Sequence, residues 1–169
     1  ASVFSVAIIM GFTFSLLVCI GVSRWLSPWQ KERLRPYLQF YLQLFFTVLL
    51  LTSALKLVWG RVRYRQMEEA SQFCVWYLPC GVQGTSFPSG HTSSFAATVL
   101  VVLSLRFPRV RSHARLIGAA VAGSILLMML SRVIMGAHFV SDTAAGMLIA
   151  LGCWRFYDRR WEKWFYDHA

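Results

Sequence analysis

The chemistry in this sequence concentrates in two short stretches and one pair of cations. His138 and Asp142 stand four residues apart in Ser131-Arg132-Val133-Ile134-Met135-Gly136-Ala137-His138-Phe139-Val140-Ser141-Asp142. On a helix that spacing puts both side chains on one face. A carboxylate there can bond one imidazole nitrogen and leave the other to attack an electrophile. Arg132, just upstream, is a fixed cation of the kind that grips phosphate. The second stretch is Ser86-Phe87-Pro88-Ser89-Gly90-His91-Thr92. Pro88 can begin a helix, and Gly90 lets the backbone approach a ligand closely. Amides at a helix start bind anions, the Ser89 hydroxyl can add a donor, and His91 sits at the mouth of the same helix. Lys56 and Arg63 lie seven apart at the end of an apolar run. Two histidines beside a phosphate suggest a division of labour, one as nucleophile and the other protonating the leaving oxygen.

The elements that must position these groups are hydrophobic. The chain has 169 residues, 57% hydrophobic and only 14% charged, with a mean hydropathy of +0.53. Soluble domains carry about 25% charged residues, so this is the composition of a membrane protein. Apolar runs at 2–22, 37–58, 88–105, 116–130 and 138–156 are separated by polar segments. The expected architecture is an all-α, polytopic transmembrane helix bundle of five visible spans, forming a single domain over residues 1–169. Run 2–22 lacks the basic start and cleavage site of a signal peptide, and one further span is expected upstream of it.

The net charge of +10 is explained by membrane topology and anionic headgroups, not by nucleic acid, which is not an expected partner. Alternating spans put twelve Lys and Arg on one side and five on the other, so the richer side is cytoplasmic. All seven tryptophans fall near predicted span ends, as interfacial anchors do. His113 and His168 fall on the cytoplasmic side as ordinary surface residues. The five outer cations are Lys56, Arg61, Arg63, Arg65 and Arg132. They oppose the positive-inside trend and need another reason to be there; an anion between them would supply it. Arg61 and Arg65 read as a solvated loop patch, or as contacts to a second phosphate or the headgroup rim. Cys74 and Cys80 lie in the longest polar loop and could pair if it faces an oxidising compartment. The spacing leaves that open.

Lys56-(six residues)-Arg63, Pro88-Ser89-Gly90-His91 and Ser131-Arg132-(five residues)-His138-(three residues)-Asp142 together resemble the three signature motifs of the type 2 phosphatidic acid phosphatase (PAP2) superfamily. Arg63 is followed by Tyr64 where the family usually has proline. The resemblance implies a six-helix membrane core and a metal-independent lipid phosphatase with no cofactor. It implies that His138 attacks phosphorus to form a phosphohistidine, that Asp142 orients His138, and that His91 serves as acid and then base. Lys56, Arg63, Ser89, Gly90 and Arg132 would hold the phosphoryl oxygens. The substrate would be a lipid phosphate or diphosphate of the undecaprenyl diphosphate, phosphatidylglycerophosphate or phosphatidic acid class, met at the non-cytoplasmic face of a cell membrane. A phosphotransferase would use the same residues, and a non-catalytic lipid-binding member would have lost one or more of them. Oligomeric state is not encoded in any readable motif. Taken singly, each residue has a plainer reading. Lys56 and Arg132 could be snorkelling helix ends, Pro88-Ser89-Gly90 a helix-starting turn, Asp142 a cap and either histidine structural. Jointly those readings require several independent coincidences of spacing.

Overall fold

The computed structural model describes residues 24, 27–81 and 84–167. The expected span 2–22 lies outside them. The described residues are helical, with no strand among them: α1 (Pro28–Trp59), α2 (Gly90–Leu100), α3 (Pro108–Ser112), α4 (Ala114–Ile134) and α5 (Val140–Asp167), with short 3₁₀ turns at Tyr64–Gln66, Ala70–Gln72 and Val101–Ser104. The stretches Pro28–Gln66 and Ala114–Ile134 are long and apolar enough to cross a membrane, and Gly90–Ser104 is apolar but shorter.

The chain divides into two compact units, Ala1–Leu38 and Gln39–Ala169. In the first, α1 opens with a capping box. The Ser27 N–H donates to Gln30 Oε1 at 2.9 Å and the Gln30 N–H to Ser27 Oγ at 3.3 Å, with Pro28 at the first helical position.

In the second unit, one face of α1 carries Phe40, Leu44, Val48 and Thr52 at four-residue spacing, all buried. The same face arrives one turn later at Lys56, so the stripe that seats the helix also aims the cation. Thr52 Oγ1 donates to Ser93 Oγ of α2 at 3.1 Å. Ala96, Ala97 and Leu100 of α2 and Ala150 of α5 complete this core.

Helix α2 packs chiefly on α5, and the two run side by side in the same direction. At one end the Ser89 N–H donates to the Asp142 carbonyl at 2.8 Å; at the other, Ser104 Oγ donates to Asp158 Oδ1 at 2.6 Å. Gly146 permits the close approach, since a Cβ there would lie 2.6 Å from the Ser89 carbonyl oxygen. Helix α1 runs opposite to α5: Thr47 bonds Tyr157 at 2.9 Å and Phe40 meets Trp161 edge-on, both far from Lys56. The far end of α2 and α5 is closed by Arg106, which pairs with Asp158 at 3.4 Å, and by Trp154, whose Nε1 donates to Ser104 Oγ at 2.9 Å. The outward faces of α1 and α4 expose Leu50, Leu57, Leu116, Leu127 and Ile134, an apolar surface suited to lipid.

Helix boundaries differ from the hydropathy runs. Helix α1 begins at Pro28 rather than near 37, α4 extends to Ala114 and Ile134, and α5 continues to Asp167 rather than stopping near 156. Hydropathy marks where apolar residues end, whereas backbone hydrogen bonding continues into polar turns. The 88–105 and 138–156 runs each begin two residues early, because Ser89 caps α2 and the chain before Val140 is a link.

Candidate active site

Four helix ends meet at one end of the second unit: the C-termini of α1 and α4 and the N-termini of α2 and α5. The cations Lys56 and Arg132 sit in the last turns of α1 and α4, where they complement the negative helix ends. The N-termini of α2 and α5 supply the opposite dipole end, which favours an anion.

The α4–α5 link explains the spacing of the motif it carries. Helix α4 stops at Met135, and Gly136 turns the chain at φ 62°, a left-handed conformation that glycine adopts without strain. The N–H groups of Ala137 and His138 then fold back onto the Arg132 carbonyl at 3.1 and 3.3 Å. Arg132 and His138 are thereby fixed to one turn. The Arg65 N–H donates to the Gly136 carbonyl at 3.0 Å, strapping the loop after α1 to the same link.

His138 is buried, with 4% of its surface exposed. Its Nδ1 lies 2.8 Å from the Ser86 carbonyl and 3.7 Å from Asp142 Oδ2. A carbonyl only accepts, so Nδ1 carries the proton in this contact and the Nε2 lone pair is left for chemistry. Burial pushes the His138 imidazole below the usual histidine range; the nearby Asp142 carboxylate opposes this, and the fields of Lys56 and Arg63 add to it. A neutral imidazole is the nucleophilic form.

Asp142 is fully buried and both of its carboxylate oxygens are engaged. Oδ1 takes Arg61 Nη1 at 2.6 Å, and Oδ2 takes the Ser86 hydroxyl at 2.5 Å and the Phe139 N–H at 3.0 Å. The last of these is the capping-box geometry, a carboxylate in the first turn reaching back to the residue before the helix. Asp142 therefore caps α5 and faces His138 at once.

Arg61 corrects the expectation of a solvated or headgroup-facing cation. It is 2% exposed, donates to Asp142 and to Ser141 Oγ at 2.8 Å, and lies over the Phe139 ring at 4.1 Å. Three later residues hold its backbone and that of its neighbours: Cys80 N–H donates to Trp59 O at 2.8 Å, Gly84 N–H to Gly60 O at 2.9 Å, and Ser86 N–H to Arg61 O at 2.8 Å. Cys74 and Cys80 are joined as a disulfide within this loop. Arg65, in contrast, is exposed.

The remaining candidates gather around His91, which is exposed at the first turn of α2. Arg132, His138, Arg63 and Lys56 all act on it electrostatically. Lys56 Nζ donates to the Thr85 carbonyl at 2.6 Å and Arg63 Nη2 approaches the Thr85 hydroxyl at 3.4 Å. Gly90 abuts the Lys56 side chain, where a Cβ would sit 3.5 Å from Cε. Ser89 is buried and its Oγ accepts from the Thr92 N–H and hydroxyl at 3.4 and 3.0 Å, which makes it the helix cap. The Nε groups of Arg63 and Arg132 are buried with no hydrogen-bond partner among the described residues. Converging cations with unsatisfied buried donors form a site suited to a tetrahedral oxyanion. Thr85, Ser86 and Arg61 were not singled out from sequence as site residues. Arg61 left a signal there as one of the cations opposing the positive-inside trend, and Ser86 opens the second stretch without a role of its own.

An all-helical bundle with apolar outer faces thus presents two histidines and a set of cations at one end, the layout of a membrane-embedded phosphate-handling protein. Residues 37–165 match the PAP2 superfamily, and the chain belongs to that family. Two curated relatives are lipid A 1-phosphatases, from Rhizobium johnstonii (37% identical over 114 residues, 66% of this chain and 43% of the relative) and Rhizobium etli (36% over 114 residues, 66% and 45%). The chain spans less than half the length of these relatives. No solved structure matches it.

Proposed function

We propose that this chain is a lipid phosphatase that works through a phosphohistidine on His138. The observation that carries the reading is the His138 contact with the Ser86 carbonyl, which commits Nδ1 as a donor and leaves Nε2 as the nucleophile. Nε2 attacks phosphorus and the bond to the leaving oxygen breaks, with His91 supplying the proton that oxygen needs. His91 then takes a proton from water as the water attacks the phosphohistidine, which releases inorganic phosphate and restores His138. Lys56, Arg63 and Arg132, with the Ser89 hydroxyl and the Gly90 amide, hold the phosphoryl oxygens while charge redistributes. Asp142 orients His138 through Ser86, whose hydroxyl it holds and whose carbonyl meets the imidazole.

The substrate class proposed is a phosphorylated amphiphile. The catalytic groups cap helices whose outer faces are apolar, so a headgroup can reach them while its tails stay in the bilayer. The two lipid A 1-phosphatase relatives make a phosphorylated glycolipid such as lipid A a leading candidate. The cation distribution and the Cys74–Cys80 disulfide both support a non-cytoplasmic site in a multi-pass protein.

The test is phosphate release by purified protein in detergent from lipid A, undecaprenyl diphosphate, phosphatidylglycerophosphate and phosphatidic acid. At least one should be hydrolysed, and His138→Ala should lose that activity by at least about a thousandfold. Release from none of them, or an unaffected His138→Ala variant, overturns the reading.

A further inference from the structure

Asp142 faces His138, yet its charge is already claimed. The carboxylate meets the Arg61 guanidinium at 2.6 Å, and neither side chain is more than 3% exposed. Its other oxygen is taken by the Ser86 hydroxyl and the Phe139 N–H, while His138 Nδ1 stands off at 3.7 Å and bonds the Ser86 carbonyl instead. A bare buried carboxylate at that distance would draw a proton onto the imidazole. Paired with a permanent cation, it presents His138 with a nearly neutral dipole. Arg61 is unusually well fixed for this task, held by Ser141, stacked on Phe139 and anchored through its own carbonyl to the Ser86 N–H.

We propose that Arg61 is a positioning residue for the reaction: locked on Asp142, its guanidinium offsets that carboxylate's field and keeps the His138 imidazole neutral between turnovers. The proposal rests on the reading of His138 as nucleophile. Arg61 is too deeply buried to touch a lipid headgroup, so its effect travels through Asp142. The other charged groups acting on His138 are Lys56 from α1, Arg63 from the following loop and His91 from α2, with Arg132 from α4 acting on the neighbouring His91, and none of these is itself altered by a substitution at Arg61.

Removing the Arg61 charge leaves Asp142 uncompensated, which favours the imidazolium. The acid limb of the kcat/KM–pH profile then moves up. Arg61→Gln should shift it by about one pH unit, with KM within about twofold of wild type on the plateau. Arg61→Lys, which keeps the charge, should hold the limb at its wild-type position while losing some kcat through poorer geometry. The measurement uses the full chain in detergent, with whichever of the four lipid phosphates above turns over fastest. An Arg61→Gln limb that stays put or moves down overturns the proposal, because a purely structural loss lowers the rate at every pH alike. So does an Arg61→Lys limb that moves up. If the Gln variant does not fold, Arg61→Met, which removes the charge but keeps most of the side chain's length, is read in its place: its limb should move up, and a limb that stays put overturns the proposal. His138→Ala, run alongside, separates the failures. A dead His138→Ala with an unmoved Arg61→Gln limb sinks only this proposal, whereas an active His138→Ala sinks the nucleophile reading itself.

Discussion

At the scale of single residues, the site is built from side chains that serve two masters. Ser86 offers its carbonyl to His138 Nδ1 and its hydroxyl to Asp142 Oδ2, so one residue orients the imidazole and satisfies the carboxylate. Ser86→Ala keeps the carbonyl and removes the hydroxyl. It should lower kcat by about tenfold with little change in KM, as expected for one buried charge-assisted hydrogen bond. Steady-state kinetics on the purified variant checks this. The acid side of the wild-type profile follows from His138. With its imidazole held below the ordinary value of about 6.5, the proposed nucleophile is neutral at pH 7, and activity should be lost only as pH falls through that lowered value. A kcat/KM titration should therefore place the acid limb below about 6.5. His138, Asp142, His91 and the cations Lys56, Arg63 and Arg132 were legible because each sits in a spaced motif. Ser86 and Thr85 were not, because their shortest contacts to His138 and Lys56 are through backbone carbonyls, which any residue type can supply, and their hydroxyls meet partners that no local spacing connects to them.

At the scale of elements, the site depends on how closely α2 and α5 approach. Their N-termini are joined by the Ser89–Asp142 backbone bond, and Gly146 lets the helices touch just behind it. Gly146→Ala would place a methyl 2.6 Å from the Ser89 carbonyl, against backbone that has no rotamer to yield. The helices must part, at a cost of about 1–3 kcal/mol by analogy with overpacked cores. Thermal unfolding in detergent should show a lowered Tm, and activity should fall as well because Ser89 and Asp142 separate. The helices themselves were legible as apolar runs, but their ends were not. Helix α5 runs on through polar residues because Tyr157 and Trp161 still find Thr47, Gln43 and Phe40 on α1. Those partners are more than a hundred residues away in the chain, outside the window in which hydropathy is read.

At the scale of the whole molecule, polar networks close both ends of the α2–α5 pair. The far network of Ser104, Arg106, Trp154 and Asp158 has no part in the proposed chemistry. Asp158→Asn should lower unfolding stability by about 1–2 kcal/mol and leave kcat/KM of the folded fraction within about twofold of wild type. Chemical denaturation paired with an activity assay tests this. The proposed orientation has its own test in thiol labelling. In intact cells a membrane-impermeant maleimide should label Cys74 and Cys80 after mild reduction and not before. Labelling only after the cells are opened would place the loop, and the active site with it, on the cytoplasmic side.

The sequence by itself determined the helical class, the family and the cations that gather at one helix-bundle end. Each of these is written locally, in composition, in the distribution of Lys and Arg between loops, and in residues a fixed few positions apart. Only the tertiary structure decided what Arg61 does. Its partner Asp142 lies 81 residues further along the chain, and the ion pair forms because the loop after α1 is pinned both by the Cys80, Gly84 and Ser86 amides and by the α4–α5 link. No periodicity connects two such positions; burial in a shared site does, and burial also turns a cation that reads as a surface charge into the one that holds Asp142.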